Sequence, residues 1–475
     1  MSNIPAQLDP EWVDEVLLSG KDSDACITLD YTIDRGTLRR LVTDRQSVLA
    51  GAGLRHGGAV ALCLPPSFAF ITNLLAAWRV GAQVTLLDHR LTPYEIERAL
   101  DRVSPQVVVA PAVPVSGALR TFFDVTETVT GYPGKPAETG HAVIQLSSGS
   151  TGPSKVIGRT GANLTEEVHR YTLIDGVPRP GERIVCMASM VHVLGLVGGL
   201  LYGLHAGAEL VVPARLTTDA ILAAVAAGDE PTTLLGVPFH IELLGAVAKP
   251  PPLPQLTGMT TGGELVRPEV YATFVERYGI RLGNMYGMTE VGVIATDLFG
   301  RNRPAVAPAP GLTVREAGGE LLVGMPASPY VGLSDPTRWA DGWLHTKDAG
   351  TVDTATGLVT IHGRLDSQVS VGGLKVDLTE VEQTLASLPG VAGAVVVYDG
   401  AIEAYVGVPE PAAAEGLEEL LASRLAPFKR PRRMHILPQL PRTATGKLVR
   451  DRAVLRAAEQ PASPAPSLDP TTPPT

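Results

Sequence analysis

The feature that most constrains the fold is an alternation of short apolar strands with helical patterns between residues 35 and 110. The predicted strands and the helices between them are 59–64, 67–80, 83–87, 92–103 and 107–110. The second helix carries a capping pattern, because Thr92 precedes Pro93 and Glu95 stands three residues after Thr92. Since parallel strands need a crossover connection, usually a helix, this alternation predicts parallel βαβ units and the α/β class.

The same pattern of short apolar strands returns further along the chain. After residue 310 a different pattern follows. The additional predicted strands are 183–188, 208–212, 232–236 and 256–262. Residues 311–362 instead combine short strands and many turns with no long helical pattern. We predict a large N-terminal domain of parallel βαβ layers that includes a small β-subdomain.

A second, small α+β domain is predicted to begin at Asp366. Its predicted helices and strands are 377–387, 393–398, 402–408 and 414–425. The last segment is rich in Pro, Ser and Thr, which predicts a disordered tail. The predicted limits are 1–365 for the N-terminal domain, 366–459 for the C-terminal domain and 460–475 for the tail.

Composition excludes several classes of protein. The chain has 475 residues and a net charge of −10, which argues against a general nucleic-acid-binding protein but not against ATP binding at a local basic site. Cys26, Cys63 and Cys186 are widely spaced, so we predict small buried hydrophobic residues rather than a zinc site or disulfides. No signal-peptide pattern and no apolar run of transmembrane length is present, so we predict a cytoplasmic protein that binds no membrane.

A loop rich in hydroxyls and glycine follows a short apolar strand: Ser147-Ser148-Gly149-Ser150-Thr151-Gly152-Pro153-Ser154-Lys155. Glycines let the backbone approach an anion, hydroxyls and N–H groups bind phosphate oxygens, and the lysine adds positive charge. The loop differs from the common P-loop, because Lys155 lies between Ser154 and Val156. It predicts a nucleotide-phosphate site, and a solvated turn ending in a surface lysine is the alternative.

Five further segments carry groups suited to nucleotide chemistry. They are residues 285–290 (Met-Tyr-Gly-Met-Thr-Glu), 341–348 (Asp-Gly-Trp-Leu-His-Thr-Lys-Asp), 363–366 (Gly-Arg-Leu-Asp), 371–375 (Val-Gly-Gly-Leu-Lys) and 440–447 (Leu-Pro-Arg-Thr-Ala-Thr-Gly-Lys). Each has a structural alternative: Tyr286 in the core, Thr289 at a helix start, Asp348 in a plain turn, a hairpin at Gly372, and Lys447 as a surface charge.

In this order and at these spacings, the segments resemble those of the acyl-adenylate-forming superfamily. That superfamily contains acyl- and aryl-CoA synthetases, adenylation domains of nonribosomal peptide synthetases and beetle luciferases. The resemblance extends from about residue 30 to 455, and it is strongest to freestanding acid–CoA ligases. It implies a small C-terminal domain that moves relative to the large one.

The resemblance also implies which residues bind ATP. Ser147, Ser148, Gly149, Ser150, Thr151, Gly152 and Lys155 would hold the β- and γ-phosphates. Tyr286 would stack on adenine, beside a wall formed by Gly262, Gly263 and Glu264. Thr289 would bind the α-phosphate and Glu290 would bind Mg²⁺, a hard cation that prefers oxygen ligands. Asp348 and Arg364 would hold the ribose hydroxyls.

Four residues are implied to serve the movement and the chemistry of the second domain. Asp366 would be the hinge, and Gly372 and Gly373 would line a tunnel for the thiol. Lys447 would bridge the substrate carboxylate and the α-phosphate, where a cation offsets the repulsion between two anions. Lys447, Thr289, Glu290 and His192 form the implied catalytic group.

The resemblance also implies where the acyl pocket lies, and the residues at those positions are mainly apolar. Its predicted residues are His192, Val237, Phe239, Gly262, Met285 and Met288. His192 would gate the pocket, and a buried core histidine is the alternative. No Asp stands near His192 to hold an α-ammonium group, and no basic residue matches a second carboxylate, so an aryl or bulky apolar acid is predicted.

The predicted function is ATP-dependent activation of a carboxylic acid to acyl-AMP with release of pyrophosphate, followed by transfer to the thiol of CoA. ATP, Mg²⁺, CoA and a small carboxylic acid are therefore the expected ligands. The first alternative acceptor is the phosphopantetheine of a separate carrier protein. A luciferase-like monooxygenase and a catalytically silent nucleotide-binding scaffold are alternatives from other classes.

Overall fold

A computed structural model describes residues 9–89, 91, 93–115, 119–146, 155–263, 266–365, 368–371, 374–425, 429–443 and 446–459. The chain divides into two compact units. The first unit comprises residues 1–346 and 350–362, and the second comprises 347–349 and 363–475. The predicted domain limits at 365 and 459 remain predictions.

Strands in the described residues are short and run throughout the chain. They are β1 (Ala25–Thr28), β2 (Thr32–Asp34), β3 (Ala59–Leu62), β4 (Gln83–Leu86), β5 (Val107–Pro111), β6 (Glu127–Gly131), β7 (Val143–Leu146), β8 (Val156–Arg159), β9 (Arg183–Cys186), β10 (Glu209–Val211), β11 (Thr232–Gly236), β12 (Leu256–Gly262), β13 (Arg281–Met288), β14 (Gly292–Asp297), β15 (Ala307–Pro308), β16 (Val314–Ala317), β17 (Glu320–Gly324), β18 (Trp339–Ala340), β19 (Trp343–Val352), β20 (Val359–Arg364), β21 (Gln368–Val371), β22 (Leu374–Asp377), β23 (Gly393–Tyr398), β24 (Ile402–Gly407) and β25 (Arg433–Leu437).

Helices connect most of the parallel strands. They are α1 (Arg35–Gly51), α2 (Phe68–Arg79), α3 (Pro93–Val103), α4 (Gly161–Thr172), α5 (Tyr202–Ala206), α6 (Thr218–Ala226), α7 (Pro238–Gly245), α8 (Pro268–Tyr278), α9 (Leu378–Ala386), α10 (Leu417–Arg424) and α11 (Arg452–Ala457). Other helical segments are the π-helical Val13–Leu17 and Leu194–Leu201 and the 3₁₀ turn Pro411–Ala414.

The segment from β3 through α2 to β4 shows how the local sequence produces a parallel strand pair. All four residues of β3 are buried, as expected for a strand covered on both faces. The next helix, α2, begins at Ser67, whose hydroxyl accepts the Phe70 N–H at 3.0 Å. Helix α2 leads the chain back to the other end of the sheet, so that β4 pairs with β3 in parallel. The predicted α/β class is therefore confirmed.

Two mixed sheets form the body of the first unit. Sheet I has the strand order β15-β14-β13-β12-β11-β9-β10-β1-β2, and sheet II has the order β6-β5-β3-β4-β7-β8. The central strands are parallel, whereas the outer pairs β13–β14, β5–β6 and β7–β8 are antiparallel. The sequence pattern does not predict these antiparallel edges, because strand direction depends on pairing and not on periodicity.

Sheets I and II share one hydrophobic core. Buried residues of sheet I, such as Ile184 and Leu210, belong to the same cluster as Val60 and Val84 of sheet II. Helices α1, α2 and α4 and the π-helical segment Leu194–Leu201 also contribute to it. The three cysteines are buried, as predicted, and burial raises the pKa of the Cys63 thiol to about 11.

The remaining elements form smaller sheets. Strands β16–β20 form the predicted β-subdomain, in the order β16-β17-β19-β18 with β20 paired to β19. In the second unit, β21 pairs with β22, and β23, β24 and β25 form a sheet with α9 and α10 on its core. Within the described residues, no helix combines the length and apolar character that crossing a bilayer needs.

Candidate active site

The predicted acyl-pocket residues lie along one edge of sheet I. Strands β9, β11, β12 and β13 are parallel neighbours, so their carboxyl ends meet at this edge. The strand ends are level, because Gly236 pairs with Thr261 and Gly262 pairs with Met285. In open α/β sheets, ligands bind outside the carboxyl ends of parallel strands. The edge is therefore the candidate active site of the first unit.

Each of these strands contributes side chains just beyond or at its end. His192 follows β9 and is exposed, so the alternative of a buried core histidine is wrong. Val237 and Phe239 follow β11 and are half-buried, and Met285 and Met288 lie at the end of β13. The structure thus brings these predicted pocket residues to one edge of sheet I.

Glycines at the end of β12 allow a close approach that a side chain would block. A Cβ on Gly262 would lie 2.8 Å from the carbonyl oxygen of Met285. Gly263 has φ +92°, which L side chains rarely adopt. Glycine at these two positions is therefore required by the backbone, whatever its contact with a nucleotide.

His240 has a structural role at this edge that the sequence did not reveal. It is 2% exposed, and its Nδ1 accepts the N–H of Val237 at 3.0 Å, which caps the first turn of α7. Burial lowers the pKa of His240 to about 4, so the imidazole is neutral at physiological pH. The histidine holds Val237 and Phe239 in place at the start of the helix.

The end of sheet II meets the same region. Gln145 lies in β7, and its side-chain Nε2 donates to the carbonyl of Val191 at 2.7 Å. Val191 immediately precedes His192, and Gln145 lies two residues before the predicted phosphate loop. The strand leading into that loop is therefore attached to the His192 segment.

Lys155, Tyr330 and Glu290 form a contact cluster beside this edge. The hydroxyl of Tyr330 donates to Glu290 Oε1 at 3.0 Å, and both residues are buried. Lys155 Nζ lies 5.9 Å from the centroid of the Tyr330 ring, within the range of a cation–π contact. The predicted phosphate lysine and the predicted metal carboxylate thus contact the same tyrosine, which no sequence motif indicated.

Glu290 and Thr289 lie in a turn that joins β13 to β14. The alternative of a helix start at Thr289 is therefore wrong. Tyr286 is half-buried and packs partly against the core cluster of the β-subdomain. The end of β13 and this turn together present the ring, the hydroxyl and the carboxylate of the motif within five residues.

A buried ion pair braces the far end of this turn. Glu167 of α4 pairs with Arg159 of β8, and their side chains are 0% and 3% exposed. Glu167 Oε1 also accepts the N–H of Val293 at 2.9 Å. Gly292, with φ +92°, passes so close to Glu167 that a Cβ there would clash with the carboxylate. The pair therefore fixes the backbone that follows Glu290.

Other predicted site residues belong to the second unit. Asp348 lies in β19, is 7% exposed and does not lie in a plain turn. Arg364 ends β20. Lys447 is exposed on a turn closed by hydrogen bonds, in which Thr443 N–H donates to the Lys447 carbonyl at 2.7 Å and Thr443 Oγ1 accepts the Lys447 N–H at 3.2 Å.

Several predicted site residues lie outside the described residues. They are residues 147–152, Glu264, Asp366, Gly372 and Gly373. Strands β21 and β22 flank the two glycines and pair in register from Val371 and Leu374.

The described residues fit a magnesium ion that is held mainly by a nucleotide. Among them, no group of three or more His, Cys, Asp or Glu side chains could hold a metal alone. Glu290 offers a carboxylate with one oxygen bonded to Tyr330. Mg²⁺ is usually bound by one or two carboxylates together with substrate phosphates and water, so this donor set matches.

Two protein-family models match this chain. The AMP-binding enzyme model matches residues 20–321, and the model of the AMP-binding enzyme C-terminal domain matches residues 380–447. The chain therefore belongs to the AMP-binding enzyme family. The first match contains sheets I and II and the turn with Glu290, and the second contains the whole β23–β25 sheet and Lys447.

Curated relatives are similar at moderate identity. A p-hydroxybenzoic acid–AMP ligase, FadD22 of Mycobacterium tuberculosis, is 29% identical over 85% of this chain and 62% of its own length. The chain thus spans less than two thirds of that relative. A feruloyl-CoA synthase of an Amycolatopsis species is 27% identical, over 87% of this chain and 91% of the relative.

Solved structures share the fold. The structure of the anthranilate CoA ligase AuaEII in complex with anthranoyl-AMP has a TM-score of 0.78 at 20% identity, covering 97% of this chain and 99% of that one. The o-succinylbenzoate CoA synthetase of Bacillus subtilis with its acyl-adenylate also has a TM-score of 0.78, at 21% identity, covering 94% and 98%. At these identities the likeness establishes the fold alone.

Proposed function

We propose that this enzyme activates a carboxylic acid with ATP and then transfers the acyl group to the thiol of CoA. The observation that carries the proposal is the cluster of Lys155, Tyr330 and Glu290 beside the carboxyl edge of sheet I. It joins a phosphate-binding cation and a metal-binding carboxylate in a member of the AMP-binding enzyme family. Both groups are needed where a triphosphate reacts beside a second anion.

In the first step, a carboxylate oxygen of the acid forms a bond to the α-phosphorus of ATP. The bond from that phosphorus to the bridging oxygen of the β-phosphate breaks, and pyrophosphate leaves with the electron pair. Thr289 donates its hydroxyl to the α-phosphate, Lys155 holds the outer phosphates, and Lys447 offsets the repulsion between the two anions. Glu290 would hold Mg²⁺, which would supply positive charge to the phosphates.

In the second step, the CoA thiolate attacks the acyl carbon and AMP leaves as a phosphate anion. We propose that the second unit changes orientation between the steps, with limits at 365 and 459, a hinge at Asp366, and Gly372 and Gly373 beside the thiol. The match of the C-terminal family model to residues 380–447 supports a separate C-terminal domain. Asp348 and Arg364 hold the ribose in this scheme.

The proposed acid is aromatic or bulky and apolar. Val237, Phe239, Met285 and Met288 give the edge of sheet I an apolar lining, and a charged side chain of a substrate would find little compensation there. Relatives named for p-hydroxybenzoic acid, ferulate and 3-hydroxybenzoate support an aryl acid. CoA is the proposed acceptor because two of these three relatives are named as CoA synthase or ligase.

The test is a panel of benzoates, cinnamates, fatty acids and amino acids with ATP and Mg²⁺, assayed for pyrophosphate release with and without CoA. We expect release that depends on an aryl acid, and acyl-CoA formation when CoA is added. Pyrophosphate without acyl-CoA, but with acylation of a phosphopantetheinylated carrier protein, would identify the carrier as acceptor. No acid-dependent pyrophosphate from any acid would contradict the proposal and favour a silent scaffold.

A further inference from the structure

Tyr330 lies outside the sequence motifs, yet it contacts two residues of the proposed phosphate and metal site. Its hydroxyl donates to Glu290 Oε1 at 3.0 Å, and Lys155 Nζ lies 5.9 Å from its ring centroid. Tyr330 is 7% exposed and Glu290 is 8% exposed. Little water competes for a hydrogen bond to a buried carboxylate. The bond therefore strongly restricts the orientation of the carboxylate.

The backbone around Tyr330 is attached to β8. Residue 330 forms an antiparallel bridge with Ile157. Gly158 N–H donates to the Pro329 carbonyl and Val331 N–H donates to the Val156 carbonyl, each at 2.9 Å. Since β8 begins directly after Lys155, the strand that leaves the phosphate loop also positions the tyrosine.

The hydrogen bond from Tyr330 occupies part of the acceptor capacity of the Glu290 carboxylate. An ionised carboxylate has about four acceptor positions, and the phenol occupies one on Oε1. A metal bound through Glu290 meets a carboxylate whose rotation is already restricted. Groups that hold a metal ligand in this way commonly change metal affinity when they are removed, although they never touch the metal.

We propose that Tyr330 is a positioning residue that orients Glu290 for the Mg²⁺–ATP complex and couples the strand after the phosphate loop to the metal carboxylate. This inference rests on the proposed function, because it uses Glu290 as the metal ligand. It assigns the tyrosine no contact with substrate. Its consequence is a specific effect on the Mg²⁺ requirement.

The test is Tyr330→Phe, which keeps the ring and removes the hydroxyl. Binding of the non-hydrolysable α,β-methylene analogue of ATP is measured by calorimetry over a range of Mg²⁺ concentrations, without acid. We expect the half-saturating Mg²⁺ concentration to rise about 10-fold, the lower end of effects seen when the partner of a metal ligand is removed. Binding in EDTA should change little.

The matched control is Tyr202→Phe. Tyr202 is also buried, and its hydroxyl donates at 2.7 Å to the carbonyl of Pro178, a residue outside the Lys155–Tyr330–Glu290 cluster. This control reports the general effect of deleting a buried phenol hydroxyl, so its Mg²⁺ requirement should equal that of the wild type. Equal Mg²⁺ curves for Tyr330→Phe, Tyr202→Phe and the wild type would overturn the proposal.

Glu290→Gln and the double variant provide the second measurement. If Tyr330 acts through Glu290, adding Tyr330→Phe to Glu290→Gln should change the Mg²⁺ requirement no further, whereas independent roles would give multiplied effects. Tyr330→His, which keeps a ring donor, should need less Mg²⁺ than Tyr330→Phe. If the phenylalanine protein does not fold, Tyr330→Met, which also lacks a hydroxyl, replaces it. A wild type with no acid-dependent pyrophosphate release would instead indicate failure of the proposed function.

Discussion

Glu290 and Lys447 are both assigned to the chemistry of the phosphates, but the molecule holds them in opposite ways. Glu290 is buried, bonded to Tyr330, and followed by a turn that a buried ion pair fixes. Lys447 is exposed on a small turn of the second unit. Substitutions around Glu290 should therefore affect stability as well as catalysis, whereas substitution of Lys447 should affect catalysis alone.

Lys447→Ala gives the largest expected effect and tests the exposed side of this comparison. Acid-dependent ATP–pyrophosphate exchange should fall by about 10²–10³-fold, the scale for losing one preorganised electrostatic donor. The melting temperature should not change, because the side chain is exposed. Thioester formation from preformed acyl-AMP should be much less affected, since that step is proposed to use a different orientation of the second unit.

Unchanged exchange in folded Lys447→Ala protein would contradict the role of this lysine. Lys249→Ala, which removes a lysine from outside the motifs of the site, is the control and should leave exchange at the wild-type rate.

Glu167→Gln tests the buried side. The change leaves the buried Arg159 guanidinium without its counter-charge, which should lower the free energy of unfolding by about 3 kcal/mol. Urea unfolding of the two proteins measures the difference. Adenylation should also fall, because Glu167 holds the Val293 N–H after the Glu290 turn.

The control for this variant is its neighbour Glu166→Gln. Glu166 is 68% exposed and pairs with Arg170 one helical turn away at 3.0 Å. Arg170 is 8% exposed, but its carboxylate partner is in solvent, and an ion pair to an exposed carboxylate contributes less than about 1 kcal/mol. Equal losses of stability in the two variants would show that the buried pair has no special role.

His240 should make the stability of the first unit depend on pH. Its pKa in the folded protein is about 4, below the ordinary 6.5, so the unfolded chain takes up a proton first as the pH falls. The stability present above about pH 6.5 is therefore lost as the pH falls towards 4. Between pH 8 and pH 5, the wild type should lose about 2 kcal/mol more than His240→Gln.

Urea unfolding at the two pH values measures this difference, with His56→Gln at an exposed position as the control. A wild type and a His240→Gln protein that lose stability in parallel would contradict the assignment of His240 as a buried, neutral cap.

Asp366→Pro should give the smallest effect and tests whether the two regions act at different steps. Proline fixes φ near −65° and restricts the preceding residue, so a hinge at this position could no longer turn. Adenylation should be retained, and acyl-CoA formation should fall about 10-fold. Pyrophosphate and acyl-CoA are measured on one preparation, and an equal fall in both would contradict a hinge at Asp366.

The sequence by itself determined the features that depend on neighbouring residues. Strand β3, helix α2 and strand β4 follow from periodicity, because this signal acts over a few residues. The order of the motifs also identified the family. The sequence predicts only in part that the pocket residues lie next to each other in sheet I. Periodicity identifies the strands, but it does not show which strands are parallel neighbours.

The tertiary structure alone decided which polar groups contact each other. Tyr330 meets Glu290 across 40 residues of sequence, and Glu167 meets Val293 across 126. Neither contact has a local pattern, because each arises when strands pair and a core closes around groups that are distant in the chain. Burial then decides the chemistry of such polar groups. It keeps the His240 imidazole neutral, so that it can cap α7. It also makes the hydroxyl of Tyr330, a residue outside every motif, a partner of the proposed metal carboxylate.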